Sequence, residues 1–307
     1  PDVPIVSPVQ DEALYQQLGM VGGGYARLAW RAIVAIDLLQ KKLFETRPYA
    51  KDPEEAERVY RKWMMKVYEA TKNREDLIPV LRAAREEMDR IELKEKPGER
   101  PLIGIVGEIY IRSNPFSNEN IVEEVEKLGG AVWMPPIGEW ILYINFTSRR
   151  NAIRQRNYKN LISNLFNSFF QHKDEKVMEE VFHDSVMNLH EPPIKETLRK
   201  ASPYLHDSFE GEAILSIGKS IDFIEKGVSG VINVMPFTCM PGTIVSALLK
   251  AVKKDYDNIP ILNMPFDGQQ QTNTQTRLEA FIYQAKQFKK IMSDREFEGR
   301  KKRRVRL

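Results

Sequence analysis

Cys239 is the only cysteine among 307 residues, and it lies in GVINVMPFTCMPGTIVSALL, where an apolar β-branched run meets a Pro-flanked turn and a helix start. Unpaired N–H groups and the dipole at a helix N-terminus favour the thiolate form of a cysteine placed there. Thiolates bind metals or attack electrophiles, whereas a buried thiol behaves as a small hydrophobe. Two further segments carry polar residues at expected strand ends. GEIYIRSNPFSNEN offers Glu108, Tyr110, Arg112 and Asn114, and MPFDGQQQTNTQTR offers Asp267, Gln269, Gln270 and Asn273. Thr238 precedes the cysteine. The tripeptide Met-Pro-Phe recurs at 235–237 and 264–266, in each case with a polar residue following. Proline stops ladder pairing, so both copies read as strand ends facing one crevice. Glu108 and Arg112 can pair with each other or bind a ligand, and the loop SNPFSNEN can cradle a phosphate with its N–H groups.

The elements that position these residues follow from periodicity. Leu102–Ile111, Ala131–Met134, Gly230–Met235 and Pro260–Met264 read as strands. Helices are expected over 120–128, 212–225, 242–253 and 276–291, and helical character over 140–171 and 175–188. Strands alternating with helices imply a parallel sheet covered on both faces. Ligands in such sheets bind outside the carboxyl ends of the strands. Upstream, Tyr25–Thr46 is apolar on nearly all sides. A second helix opens with Asp52 as cap, Pro53 at its first position and Glu54–Glu55 against the dipole, and a third spans about 75–93. KEKPGERP at 94–101 is charged and contains Pro and Gly, which marks a boundary. The expected organisation is therefore α/β: a helical segment over 1–97, a Rossmann- or flavodoxin-like parallel-sheet domain over 98–295, and a disordered basic tail over 296–307.

Composition excludes several classes. Net charge is +3, and the basic excess sits in the tail RKKRRVRL. No aromatic residue interleaves that run, so nucleic-acid binding is not indicated. No segment has the apolar length of a membrane span and no signal peptide is evident, which places the chain in the cytoplasm. The four histidines lie in or beside helices of the middle segment, outside any metal-binding spacing. The start at Pro1 suggests the C-terminal portion of a longer protein.

The segments GEIYIRSNPFSNENIVEEVEKLGGAVWMPPIGEW, EGEAILSIGKSIDFI, GVINVMPFTCMPGTIVSALL and IPILNMPFDGQQQTNTQTRLEAF, in this order, resemble the activase-related proteins of the 2-hydroxyacyl-CoA dehydratase and benzoyl-CoA reductase superfamily. The match covers roughly residues 100–290, and PFTCMPG followed by PFDGQ is its most specific part. The resemblance implies a flavodoxin-like half that helps hold an iron–sulfur cluster, often of the 4Fe-4S type, in anaerobic metabolism. It also implies ATP-driven, low-potential electron transfer to CoA thioesters, with Cys239 as a cluster ligand. Glu108, Arg112, Asn114, Thr238, Asp267 and Gln269 would lie around the cofactor. A cubane cluster typically takes four cysteine thiolates. The remaining ligands would therefore come from an N-terminal lobe or another subunit, and the partner would be that lobe or an ATP-dependent activase. An acyl-CoA substrate and an oligomeric assembly are compatible with this reading. The alternative is a metal-free α/β module binding a nucleotide or CoA ester. A third reading makes the N-terminal helices a docking domain if Trp30, Trp63 and Met64 are exposed.

Overall fold

The computed structural model describes residues 24–268 and 273–304. The chain divides into two compact units, each built from separated stretches. One ends at Leu93 and resumes over Pro136–Ile194; the other takes Lys94–Pro135 and the chain from Lys195 onward. The boundary read at KEKPGERP is thus one of three crossings. Residues 136–194, assigned by sequence to the sheet domain, instead belong with the helices, because they form helical elements without a strand between them.

In the helical unit, α1 (Tyr25–Thr46), α2 (Pro53–Lys72) and α3 (Leu77–Asp89) come first. Asp52 caps α2 by accepting from the Glu54 N–H at 3.0 Å, ahead of Pro53. Trp30 of α1 is buried and donates its indole N–H to the Gln171 carbonyl at 3.1 Å. Trp63 and Met64 are half-buried, so of the three residues on which a docking face was read only Trp30 lies in the core.

The sheet unit is α/β, with a helix-covered sheet of four parallel strands, β1 (Leu102–Gly107), β2 (Ala131–Trp133), β3 (Gly230–Pro236) and β4 (Ile261–Phe266). Their order is β2-β1-β3-β4, and every pairing is parallel. This is a Rossmann- or flavodoxin-like arrangement. The inner strands β1 and β3 are buried along almost their whole length, as continuous apolar runs require. Between β1 and β2 the chain forms α4 (Ile109–Ser113) and α5 (Ile121–Lys127).

Two helices of the helical unit follow β2: α6 (Ile137–Arg154) and α7 (Tyr158–Glu179). The helical run read over 140–171 is broken at Arg156, which is left-handed at φ 56°. Asp37 of α1 caps α6, accepting from the N–H groups of Ile137 and Gly138 at 2.9 and 2.8 Å.

The chain returns to the sheet unit with α8 (Ile194–Ala201), α9 (Glu212–Glu225), α10 (Met240–Asp255) and α11 (Thr274–Arg304). Phe223 of α9 packs on Trp133, ring centroids 4.5 Å apart, in the core beneath the sheet. Asp222, fully buried beside it, is neutralised by Lys200 at 2.8 Å and Lys226 at 2.9 Å. Helix α11 buries Leu278, Phe281, Ile282 and Ala285, a single helical face, and Lys289 donates to the carbonyls of Gly98, Glu99 and Arg100. It continues to Arg304, so a tail read as disordered from 296 is helical for most of its length; 305–307 lie outside the described residues. Among the described residues no helix is long and apolar enough to cross a membrane.

Among the acids of the helical unit, Glu175 is held far from its ordinary titration range. Burial pushes the Glu175 carboxyl up to about 7, with nearby Glu179 adding to the rise and Lys41 opposing it. Glu191 and Asp37 also raise it, and His190 contacts Glu179 at 2.9 Å. Below the usual Glu range both folded and unfolded chains are protonated at this site. As pH climbs to about 7 only the unfolded chain ionises, so this group's contribution to stability is lost over that window. Glu175→Gln should therefore gain thermal stability relative to the parent as pH rises from about 4 to about 7, and keep that gain above. Melting temperatures across pH check this, and a pH-independent difference contradicts it.

Candidate functional site

The strand order reverses between β1 and β3, so the crevice at their carboxyl ends is the place where such sheets bind ligands. Because β3 lies between β1 and β4, the loops after all three strands share one edge. The two Met-Pro-Phe segments are direct neighbours. Met235 pairs with Pro265 and Pro236 with Phe266, and the Phe237 N–H donates to the Phe266 carbonyl at 2.7 Å.

The first loop departs from the sequence reading. Strand β1 ends at Gly107 rather than running to Ile111. Gly107 has φ +121°, and a Cβ there would lie 1.9 Å from the Val234 carbonyl oxygen. Only glycine lets the two strands meet this closely while the chain turns away. The next N–H, from Glu108, donates to that same oxygen at 3.0 Å. Glu108 then caps α4, its carboxylate accepting from the Tyr110 and Ile111 N–H groups at 3.1 and 2.7 Å. Arg112, expected in the strand or loop, is buried in the last turn of α4.

Asn114 ends α4 and folds the following loop, its side-chain oxygen accepting from the Phe116 N–H at 3.0 Å. Asn118, which the sequence reading did not single out, staples this loop from within. It is buried and donates to the carbonyls of Ile111 and Arg112 at 2.7 and 3.1 Å. Asn-rich stretches are the sequence signal for such side-chain-to-backbone bonding. The N–H groups of Phe116, Ser117, Asn118, Asn120 and Ile121 all donate to acceptors within the loop. They are therefore committed before any phosphate arrives, and Glu123 and Glu124 in the first turn of α5 oppose an anion there. These loop N–H groups are thus not free for the phosphate cradle expected of this segment.

Glu212 was also missed. It opens α9 and accepts from the Ile109 N–H at 3.4 Å. Burial holds its carboxyl above the usual range, and the charge of Glu108 adds to the rise. The Ile109 N–H and Arg112 act in the opposite direction. Only its place directly after Gly211, which has φ +110° at the start of the helix, hinted at it in the sequence. The end of β1 is thus an acidic corner with a buried guanidinium beneath it.

The second loop is a tight turn closed by the Cys239 N–H donating to the Pro236 carbonyl at 3.1 Å. Thr238 sits in it with φ 66°, a conformation unfavourable for a β-branched residue. Cys239 is the cap residue of α10 and a free, half-buried thiol. Its carbonyl accepts from the Thr243 N–H at 3.0 Å and hydroxyl at 2.9 Å, while its side chain makes no capping bond. Gly242 allows α10 to press onto β3, since a Cβ there would meet the Met235 side chain at 2.6 Å.

The large apolar residues around the two Met-Pro-Phe ends divide. Phe266 is buried, but Phe237 and Met240 project outward, as do Tyr110 and Phe116 of the first loop. Asn233 turns away from the edge, donating to Asn263 at 3.0 Å and Ser246 at 3.3 Å. Asp267 follows β4 and is exposed, whereas Gln269 and Gln270 lie outside the described residues. The four histidines are exposed and contact local partners: Ser168, Asp184, Glu179 and Ser208.

Among the described residues, no group of three or more His, Cys, Asp or Glu side chains is placed to hold a metal ion. One thiol does not fit a four-thiolate cluster, so Cys239 has the chemistry of one ligand and no more. No family model matches the chain, and comparisons with curated proteins and with solved structures find no match.

Gly107→Ala should destabilise the sheet unit by about 3 kcal/mol or more in urea unfolding, because the methyl meets the Val234 carbonyl. Gly98→Ala is the control. Gly98 shares a positive φ but has open space around it, so the change should cost only about 1 kcal/mol. Equal losses in both variants would mean that the β1–β3 approach is not the constraint.

Proposed function

We propose that this chain is the α/β lobe of an iron–sulfur acyl-CoA dehydratase or activase-type reductase system, and that Cys239 is one thiolate ligand of a cluster completed from outside the chain. The observation that carries the reading is the position of the thiol. It stands part-exposed as the cap residue just before a helix, at the carboxyl end of β3, between the loops of β1 and β4. A ligand meant to be shared must be presented at a surface, with its backbone fixed and its sulfur uncommitted. The turn 236–239 and the Thr243 bonds fix the backbone, and the exposed Phe237, Met240, Tyr110 and Phe116 give a contacting lobe an apolar surface to cover. A bound cluster would supply one-electron chemistry. In this reading the chain's own contribution is to orient the thiolate.

A metal-free module binding a nucleotide or CoA ester is the second reading. The strand-order reversal between β1 and β3 favours it. The Glu108–Glu212 acidic corner and the committed loop N–H groups oppose a phosphate in that crevice.

The test is anaerobic preparation of the protein from its complete reading frame with its co-purifying subunits, followed by iron and sulfide analysis and electron paramagnetic resonance. The reading expects iron and sulfide together in the parent, and loss of iron or an altered resonance in Cys239→Ser. Equal iron and identical spectra in the two proteins overturn the ligand role. Iron-free parent protein that gives binding heat with CoA esters or nucleotides would favour the second reading.

A further inference from the structure

Helix α7 is amphipathic in the wrong direction for a monomer. At 3.6 residues per turn, Tyr158, Ile162, Leu165 and Phe169 fall within about 60° of one another around the helix. These residues are 69%, 63%, 49% and 66% exposed. The opposite face, turned into the helical unit, is largely polar, with Met178 its buried apolar residue near the C-terminal end. Asn164, Gln171 and Asp174 are buried there. They are held by hydrogen bonds from Asn164 to Ser148 at 3.0 Å, from Asn145 to Gln171 at 2.6 Å, and from Arg27 to Asp174 at 2.7 Å. A surface helix ordinarily does the reverse. The arrangement keeps an apolar stripe facing outward at the cost of a polar interior that needs its own bonding network.

The stripe is bounded. Beyond Phe169 the same face continues with His172 and Lys176, both exposed. Within it the spacing is four, three, four, the seam of a coiled coil in the order d, a, d, a. The pattern is also palindromic. Aromatic, aliphatic, aliphatic and aromatic residues follow in turn, and the pairs 158/169 and 162/165 share one midpoint, between residues 163 and 164. A two-fold axis there brings Tyr158 against Phe169 of a second copy and Ile162 against its Leu165. These are the a-to-d pairings of antiparallel helices, and a two-fold interface is self-complementary in this way. The exposed parts of the four side chains amount to roughly 500 Å² per copy, so pairing removes on the order of 1,000 Å² in all, at the lower edge of specific interfaces.

We propose that α7 is a self-association surface, and that two copies of this chain pair through Tyr158, Ile162, Leu165 and Phe169 with their α7 helices antiparallel. The surface belongs to the helical unit and does not depend on the role of Cys239.

Sedimentation equilibrium of the full chain tests this. The proposal expects a monomer–dimer equilibrium between low micromolar and several hundred micromolar protein. Leu165→Glu or Ile162→Lys should each raise the dissociation constant by about tenfold or more, with an unchanged circular-dichroism spectrum. The double variant Leu165→Glu/Ile162→Lys should recover association relative to either single variant, because an antiparallel seam sets the new carboxylate against the new ammonium. A chain that stays monomeric throughout, or a dimer indifferent to the single changes, overturns the proposal. A dimer weakened by the single changes but not recovered by the double one overturns the antiparallel pairing.

Discussion

The site depends on one close approach, the end of β1 against the carbonyl of Val234 on β3. Gly107 is needed because any side chain would occupy the space of that oxygen. The Glu108 N–H then bonds to the same oxygen and fixes where the first loop begins. From that point the chain has little freedom. Glu108 must cap α4, which places Arg112 one turn on and brings Ile109 within reach of Glu212. On the other side of the contact, β3 runs on through Met235 and Pro236 into the turn that presents Cys239. Acidic corner and thiol are both positioned from this one backbone contact.

The repeated Met-Pro-Phe shows how a sequence pattern becomes geometry. Proline ends ladder pairing on each strand, and because β3 and β4 are neighbours the two ends lie side by side. That adjacency was legible from the repeat, as was the parallel α/β class from alternating strands and helices. The cap of α2 was legible too, since Asp-Pro-Glu-Glu names each position by its chemistry. The end of β1 was not. Ile109, Tyr110 and Ile111 suit a strand by composition, and only the glycine contact, which is tertiary, turns them into helix. Periodicity also could not show that 136–194 leaves the sheet unit, because an excursion between two strands leaves no mark on the pattern of either. Glu212 and Asn118 went unnoticed for a related reason: their roles lie in which backbone groups they meet.

Burial and charge separate the chemistry that this edge can hold from the chemistry it opposes. Two carboxylates share the β1 corner, and the loop amides that elsewhere grip phosphate are engaged with their own chain. The thiol is free and half-buried, its side chain makes no capping bond, and the exposed Phe237 and Met240 flank it in sequence. The helical unit shows the same economy in reverse. Its α7 helix turns Asn164 and Gln171 inward and satisfies them with hydrogen bonds, leaving Tyr158, Ile162, Leu165 and Phe169 exposed.

The central claim is that the Cys239 sulfur stands open at the carboxyl edge of the sheet. Because the chain has a single cysteine, the kinetics of thiol modification in the native protein test this without any engineering. The account predicts one equivalent modified without denaturant, at a rate within about a hundredfold of a free peptide thiol. A thiol that reacts only after unfolding would contradict it.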